Sequence, residues 1–113
     1  MGNISAYFNN LVDYFLQCPN LDSILIGKYS ANPKEVLKFF LQLIEEIDDF
    51  SFSNLDELLH TRVKENSLSM KEYFMTLRIC ITGEIVTPPI IEIISILGKE
   101  ETINRLKKSL SLL

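Results

Sequence analysis

The chain has 113 residues, of which 47% are hydrophobic and 23% charged, and its formal net charge is −4. This length suits one domain, and the high apolar share excludes an intrinsically disordered chain. No apolar run reaches the roughly 18 residues that a spanning helix needs, so we expect no membrane segment. The two cysteines, Cys18 and Cys80, indicate neither a disulfide framework nor a metal pair, and we expect reduced thiols in a cytoplasmic protein.

Charge is divided unevenly along the chain. Residues 1–57 hold three basic and nine acidic side chains, a net charge of −6, whereas residues 58–113 hold eight basic and six acidic ones, a net charge of +2. A polyanion would therefore meet the second half first. The excess is far below the dense basic stripe of typical nucleic-acid binders, so solvated charge on helix faces remains the leading interpretation of composition alone.

About six helical stretches and no convincing strand are predicted. The first covers about residues 4–17 and ends before Pro19, because a proline disfavours helix in the residue that precedes it. Residues 22–29 are ambiguous, since their apolar residues could start a short helix that Gly27 would end.

The second clear helix has a strong start signal. Asn32 can cap it, and Pro33 fits the first helical position. Residues 36–47 are apolar nearly all round, which predicts that this helix is the buried centre of the domain.

Caps and stops mark the next two helices. Ser53 is predicted to cap a third helix that runs through Lys64. Ser69 is predicted to cap a fourth helix, with Glu72 at the acidic position of a capping box. Gly83 is a natural left-handed stop for this helix.

The last part of the chain predicts two more helices. Thr87 is expected to cap the fifth, which opens with Pro88 and Pro89 and ends at Gly98. The fold class is therefore a compact all-α bundle, with residues 1–113 as a single domain. The sixth helix has an apolar stripe at three- and four-residue spacing: Ile103, Leu106, Leu110 and Leu113.

The sequence shows no recognisable pattern of catalytic or metal-binding residues. His60 is the single histidine and has no second ligand at zinc spacing, so it is interpreted as a surface or packing residue. The four glycines are too far apart for a phosphate-binding loop. We expect no catalytic residue, metal or cofactor in this chain.

Residues 70–110 carry an ordered series of short motifs. In order they are Phe-Met-x-Leu-Arg at residues 74–78, Thr-Gly at 82–83, a proline-opened helix, Leu-Gly-Lys-Glu at 97–100 and Arg-Leu at 105–106. The series resembles the C-terminal anticodon-binding region of bacterial glutamyl-tRNA synthetase over about 40 residues without a gap. One departure is Thr76, where many family members carry proline.

The resemblance implies a cage-like helical domain of a class I aminoacyl-tRNA synthetase. The chain would be a C-terminal fragment of glutamate–tRNA ligase, with residues 1–69 as a first helical half and residues 70–113 as a second half that carries the motifs. Its implied partners are the anticodon loop of tRNA(Glu) and the catalytic domain of the parent enzyme, where ATP and Mg would bind. We expect a monomer that supplies tRNA binding to protein biosynthesis, not chemistry.

The resemblance also implies site residues. Family positions that match Thr87 and Ile90 contact anticodon bases, although a plain helix cap and a core residue are the alternatives. Four basic residues are candidates for contact with the phosphate backbone: Arg78, Lys99, Arg105 and Lys108. For Arg78 the alternative is a structural ion pair, and for Lys108 it is a solvated helix face. Of the four, Arg105 and Lys108 are predicted to share an exposed side of the last helix.

A second class of function stays open at this point. A helical protein-interaction domain with no RNA role could use the acidic first half against a basic partner. The sequence also does not distinguish an enzyme that charges only tRNA(Glu) from one that also charges tRNA(Gln).

Overall fold

The computed structural model describes residues 23–113, and every regular element in that range is an α-helix. The all-α prediction is therefore confirmed for this part of the chain, whereas the predicted helix over residues 4–17 lies outside the described residues. Residues 22–29, ambiguous in sequence, include a helix of a single turn. The six helices are α1 Ser23–Ile26, α2 Pro33–Glu46, α3 Phe52–Glu65, α4 Met70–Thr82, α5 Ile90–Leu97 and α6 Lys99–Ser111.

Helix α2 anchors the core and packs against α4 and α6. Its inner face is fully buried at Leu37, Phe40 and Ile44, each with no exposed surface. The opposite face is exposed and polar, including Lys38 and Glu45. The helix is thus amphipathic: the predicted central helix is buried on its inner face, while charged residues that recur every three to four positions keep the opposite face in solvent.

Helix α4 begins and ends where the sequence predicts. The Ser69 hydroxyl accepts a hydrogen bond from the Glu72 amide at 3.2 Å, which caps the first turn. Gly83 adopts a left-handed conformation with φ of 75° and donates its amide to the Ile79 carbonyl. The Glu72 carboxylate accepts a hydrogen bond from the Ser30 hydroxyl, so this helix start is also joined to the segment before α2.

Two predicted helix starts are wrong. Helix α3 is capped at Ser51, two residues before the expected Ser53. Helix α5 is capped at Pro89 and not at Thr87. A residue that precedes proline is driven out of the helical region, and this holds for both Thr87 and Pro88. The helix can therefore begin only after the second proline.

Candidate functional site

A cleft opens between α3, α4 and the start of α5. Its cavity has a volume of about 460 Å³, within the range of small-molecule and single-base sites. From α3 it is lined by Phe52, Asp56 and His60, which follow one another at intervals of four residues. This spacing places all three side chains on one face of the helix.

Helix α4 forms the facing wall with the same spacing. Met70, Phe74 and Arg78 line the cleft at intervals of four residues, and Lys71 lies beside them. Most of the surface that these walls offer is apolar, with charged groups at a few points. Such a surface suits a flat, partly apolar ligand that also carries polar edges.

Two rings form the contact between the walls. The imidazole of His60 stacks on the ring of Phe74, with centroids 4.7 Å apart and planes inclined by 23°. The His60 Nδ1 lies 2.7 Å from the Asp56 carbonyl oxygen, so Nδ1 carries the proton that this bond requires. The ring is thus held in one orientation. Phe52 remains 48% exposed at the cleft edge, which leaves an aromatic surface open to a ligand.

Arg78 has one side-chain hydrogen-bond donor that is not paired in the described part of the chain. Its Nε is buried and makes no hydrogen bond within the described residues, while Nη1 makes long contacts of 3.5 Å to the Ile85 carbonyl and the Met75 sulfur. A buried donor without an acceptor is unfavourable. Of the predicted phosphate-binding residues, Arg78 is the one that lines the cleft.

The two predicted base-contact residues occupy different positions. Ile90 is 4% exposed, yet it lines the cleft together with Pro89 and Ile91. Thr87 is half-buried in the preceding turn, outside the cleft walls. Its hydroxyl donates to the Pro88 carbonyl at 2.7 Å, so its oxygen lone pairs are what it can offer a ligand.

Hydrogen bonds of Thr82 hold the start of the turn between α4 and α5. The Thr82 hydroxyl donates to the Arg78 carbonyl at 2.8 Å and accepts from the Glu84 amide at 3.1 Å. These bonds connect the last turn of α4 to the segment that carries Thr87. The segment therefore leaves α4 in a defined direction.

Arg105 lies in the core, and the prediction that it lies on an exposed side of the last helix is wrong. Only 1% of the residue is exposed, its Nε pairs with Glu101 at 2.8 Å and its Nη1 donates to the Ile81 carbonyl at 2.9 Å. The buried face of α6 includes Thr102 and Ser109, the two small residues that flank Arg105 at three- and four-residue spacing. That pair of small residues around an arginine was the available sequence signal.

The two predicted lysines differ from each other. The Lys99 ammonium donates to the carbonyls of Glu45 and Ile47, each at 2.8 Å, and so closes the C-terminal end of α2. This structural role uses two of its three N–H donors. Lys108 is exposed near the end of α6, away from the cleft walls.

Of the polar residues that line the cleft, three are not among the predicted site residues: Asp56, His60 and Lys71. His60 was interpreted as a surface or packing residue because it has no metal-binding partner. Its four-residue spacing from Asp56 and Phe52 was the signal that could have grouped them. Within residues 23–113, no three His, Cys, Asp or Glu side chains group closely enough to hold a metal ion.

Cys80 belongs to the core and not to the site. It is a free, fully buried thiol, and burial raises its pKa to about 12, although a side-chain hydrogen bond with Ser109 acts in the opposite direction. The thiol therefore keeps its proton at neutral pH and is no nucleophile. Cys18 lies outside the described residues.

Comparison with known proteins identifies the class of domain. The family described as anticodon binding domain matches residues 6–110, and the chain belongs to this family. Its relatives include glutamate–tRNA ligase 2 of Thermosipho melanesiensis, 28% identical over 99% of this chain and 25% of that protein. The glutamate–tRNA ligase of Flavobacterium johnsoniae is 31% identical over 94% of this chain and 21% of that protein.

A solved structure agrees with these relatives. The crystal structure of a glutamate–tRNA ligase from Elizabethkingia meningosepticum, in complex with its amino acid, matches with a TM-score of 0.79 and 26% identity. The match covers 92% of this chain and 21% of that one. The resemblance carried by the motifs of residues 70–110 is thus confirmed: the chain is homologous to the anticodon-binding domain of glutamate–tRNA ligases. It spans about a quarter of the length of these relatives or less.

No helix in residues 23–113 is both long enough and apolar enough to cross a membrane.

Proposed function

We propose that this chain is the part of a glutamate–tRNA ligase that recognises the anticodon loop of tRNA(Glu). One observation carries the proposal: the cleft between α3 and α4 is bordered by Ile90, at the start of α5, in a chain that belongs to the anticodon-binding domain family. Proteins that read RNA sequence mostly take unpaired bases, which can be splayed out into such a cleft.

The cleft provides the two kinds of contact that an unpaired base needs. Phe52, Phe74 and Ile90 offer apolar and aromatic surface against the flat face of the base. The guanidinium of Arg78, which lines the cleft, offers a donor to an acceptor on the base edge. Thr87, in the turn before the cleft, offers its hydroxyl oxygen to a neighbouring nucleotide.

Phosphate contacts fall to exposed cations around the site. Lys71 lies at the cleft and Lys108 near the end of α6, and both are exposed. Contacts of this kind position the RNA without reading its sequence. Arg105 and Lys99 are left out of this set, because each is engaged with the protein's own carbonyls.

We assign the chemistry to other parts of the parent protein. ATP, Mg²⁺ and glutamate would bind in a class I catalytic domain, which uses this chain to verify the tRNA. The chain itself would act as a monomer in the cytoplasm and would hold no cofactor. With a net charge of −4 it lacks long-range attraction for RNA, so we expect the catalytic domain to supply much of the affinity.

The rival interpretation is a helical protein-interaction domain with no RNA role. The family and its relatives favour tRNA recognition over this alternative. The two functions also differ in their dependence on salt. RNA binding should weaken steeply as the salt concentration rises, because the release of counterions into concentrated salt gains less free energy, whereas an apolar protein interface should respond little.

The test is a titration of the full chain with an anticodon stem-loop of a glutamate tRNA at low salt, followed by NMR chemical shifts. We expect shifts at residues around the cleft and a binding constant reduced about tenfold by Ile90→Ala. Ile96→Ala is the matched control, because Ile96 is a 48% exposed isoleucine of the same helix that does not line the cleft. Equal binding by both variants and the unchanged chain would contradict the assignment of Ile90, and absence of shifts at the cleft would contradict the proposed function.

A further inference from the structure

The acidic residue in the cleft suggests which base the cleft accepts. We propose that Asp56 is a specificity-determining residue that selects a base with an amino group on its pairing edge, cytosine in preference to uracil. This inference rests on the proposed function, since it concerns the same cleft.

Asp56 occupies the middle of the α3 wall. It lies one helical turn after Phe52 and one turn before His60, and its side chain is 50% exposed. A ligand in the cleft would therefore meet a carboxylate between two aromatic rings. A carboxylate accepts hydrogen bonds and donates none, so it discriminates between a donor and an acceptor at the same position of a ligand.

His60 lies beside this carboxylate. Its Nδ1 lies 2.7 Å from the Asp56 carbonyl oxygen and 3.3 Å from Oδ1 of the same residue. The ring itself is fixed by its stack on Phe74. The single Nδ1 proton is directed to the carbonyl, so the carboxylate oxygens of Asp56 keep their lone pairs for a ligand.

The two walls of the cleft differ in their hydrogen-bonding groups. Arg78 and Lys71, on the opposite wall, are donors only, whereas Asp56 is an acceptor only. Cytosine carries an amino donor at N4 and acceptors at N3 and O2, which match these two walls. Uracil carries an oxygen in place of the amino group, and this oxygen would face the lone pairs of the carboxylate.

The genetic code supplies a natural ligand for such a cleft. Codons for glutamate begin with guanine, so the last base of the anticodon that pairs with them is cytosine. The probe is accordingly an anticodon stem-loop of a glutamate tRNA and a second stem-loop in which that cytosine is replaced by uracil. The readout is the ratio of the two dissociation constants for the full chain, measured by fluorescence anisotropy at low salt.

The unchanged chain should prefer the cytosine stem-loop by about tenfold, the effect of one well-placed base contact. Asp56→Asn should reduce this ratio to about one, because an amide can present either a donor or an acceptor. Glu57→Gln is the matched control: it removes the same charge from the adjacent, exposed residue outside the cleft and should leave the ratio unchanged. His60→Phe keeps an aromatic ring against Phe74 but removes the donor to Asp56, and should lower the ratio in part.

Three results would overturn the inference. The first is a preference for cytosine in Asp56→Asn as strong as in the unchanged chain. The second is equal affinity of the unchanged chain for both stem-loops, which would leave the proposed function intact while removing the role of Asp56. The third is absence of binding to either stem-loop, which would contradict the proposed function and this inference together.

Discussion

The imidazole of His60 lies nearly parallel to the ring of Phe74, with their centroids 4.7 Å apart. This contact joins α3 to α4 at the cleft and does so with a residue whose side chain is half exposed. Phe74 in turn packs against Phe40 of the core, with centroids 5.9 Å apart. The cleft wall is therefore connected directly to the central helix α2, which gives it rigidity.

The first prediction concerns this stack. His60→Ala should lower the free energy of unfolding by no more than about 1 kcal/mol, because the ring is half exposed and an aromatic pair contributes about that much. The same change should weaken binding of the anticodon stem-loop about tenfold, since it opens one wall of the cleft. Urea unfolding and fluorescence anisotropy measure the two effects. Thr61→Ala, at the next residue and outside the cleft, serves as the control, and equal RNA binding by both variants would remove His60 from the site.

A second prediction separates the two possible roles of Arg105. Arg105→Ala should destabilise the chain by about 3 kcal/mol, because it leaves a cavity and removes the donor to the buried Ile81 carbonyl. Arg105→Met fills much of that volume and should recover part of the loss, as urea midpoints would show. For the fraction that stays folded, RNA binding by Arg105→Met should equal that of the unchanged chain. Weaker RNA binding in a fully folded Arg105→Met would restore the phosphate-binding role that its burial argues against.

Lys99 gives the third prediction. Its ammonium supplies hydrogen bonds to two carbonyls at the end of α2, where the helix itself leaves acceptors without donors. Lys99→Met keeps the aliphatic stem and removes the donors, and should lower the free energy of unfolding by about 1 kcal/mol. Lys107→Met, at an exposed position of α6, should change it by a few tenths at most. Thermal unfolding of the two variants compares them directly, and identical midpoints would show that water replaces the lysine without loss.

The fourth prediction follows from the buried thiol. The pKa of Cys80 is raised by burial from 9.0 to about 12, so between these values the folded chain holds a proton that the unfolded chain has lost. Stability contributed by the neutral thiol is thus fully present below pH 9.0 and is lost as the pH rises towards 12. The slope from this group is about −1.4 kcal/mol per pH unit.

The measurement for Cys80 is urea unfolding across this alkaline range in the unchanged chain and in Cys80→Ala. Lysines and tyrosines titrate in the same range in both proteins, so their contribution cancels in the difference. Cys80→Ala should be less stable at neutral pH because it leaves a small cavity, and the gap should narrow as the pH rises. A gap that stays constant across the range would show that the thiol loses its proton equally easily in both states.

Features set by a few neighbouring residues were predictable from the sequence. The start of α4 at Ser69 and its end at Gly83 depend on a hydroxyl that reaches an amide three residues on, and on one residue in a left-handed conformation. The start of α5 is equally local, but the two prolines, and not the Thr87 hydroxyl, decide where this helix begins. The motif series of residues 70–110 carried the family, because its residues keep their order and spacing in the chain.

What the sequence alone determined here is the helical content, most of the helix boundaries and the family. Tertiary structure alone decided which polar residues face solvent and which face the core. Helical spacing assigns Arg105 and Lys108 to related positions, yet one is 1% exposed and the other is on the surface. The cleft likewise exists only because α3 and α4 pack with His60 against Phe74. Spacing along a helix determines which side chains share a face, whereas the neighbouring helix determines whether that face meets water, protein or a ligand.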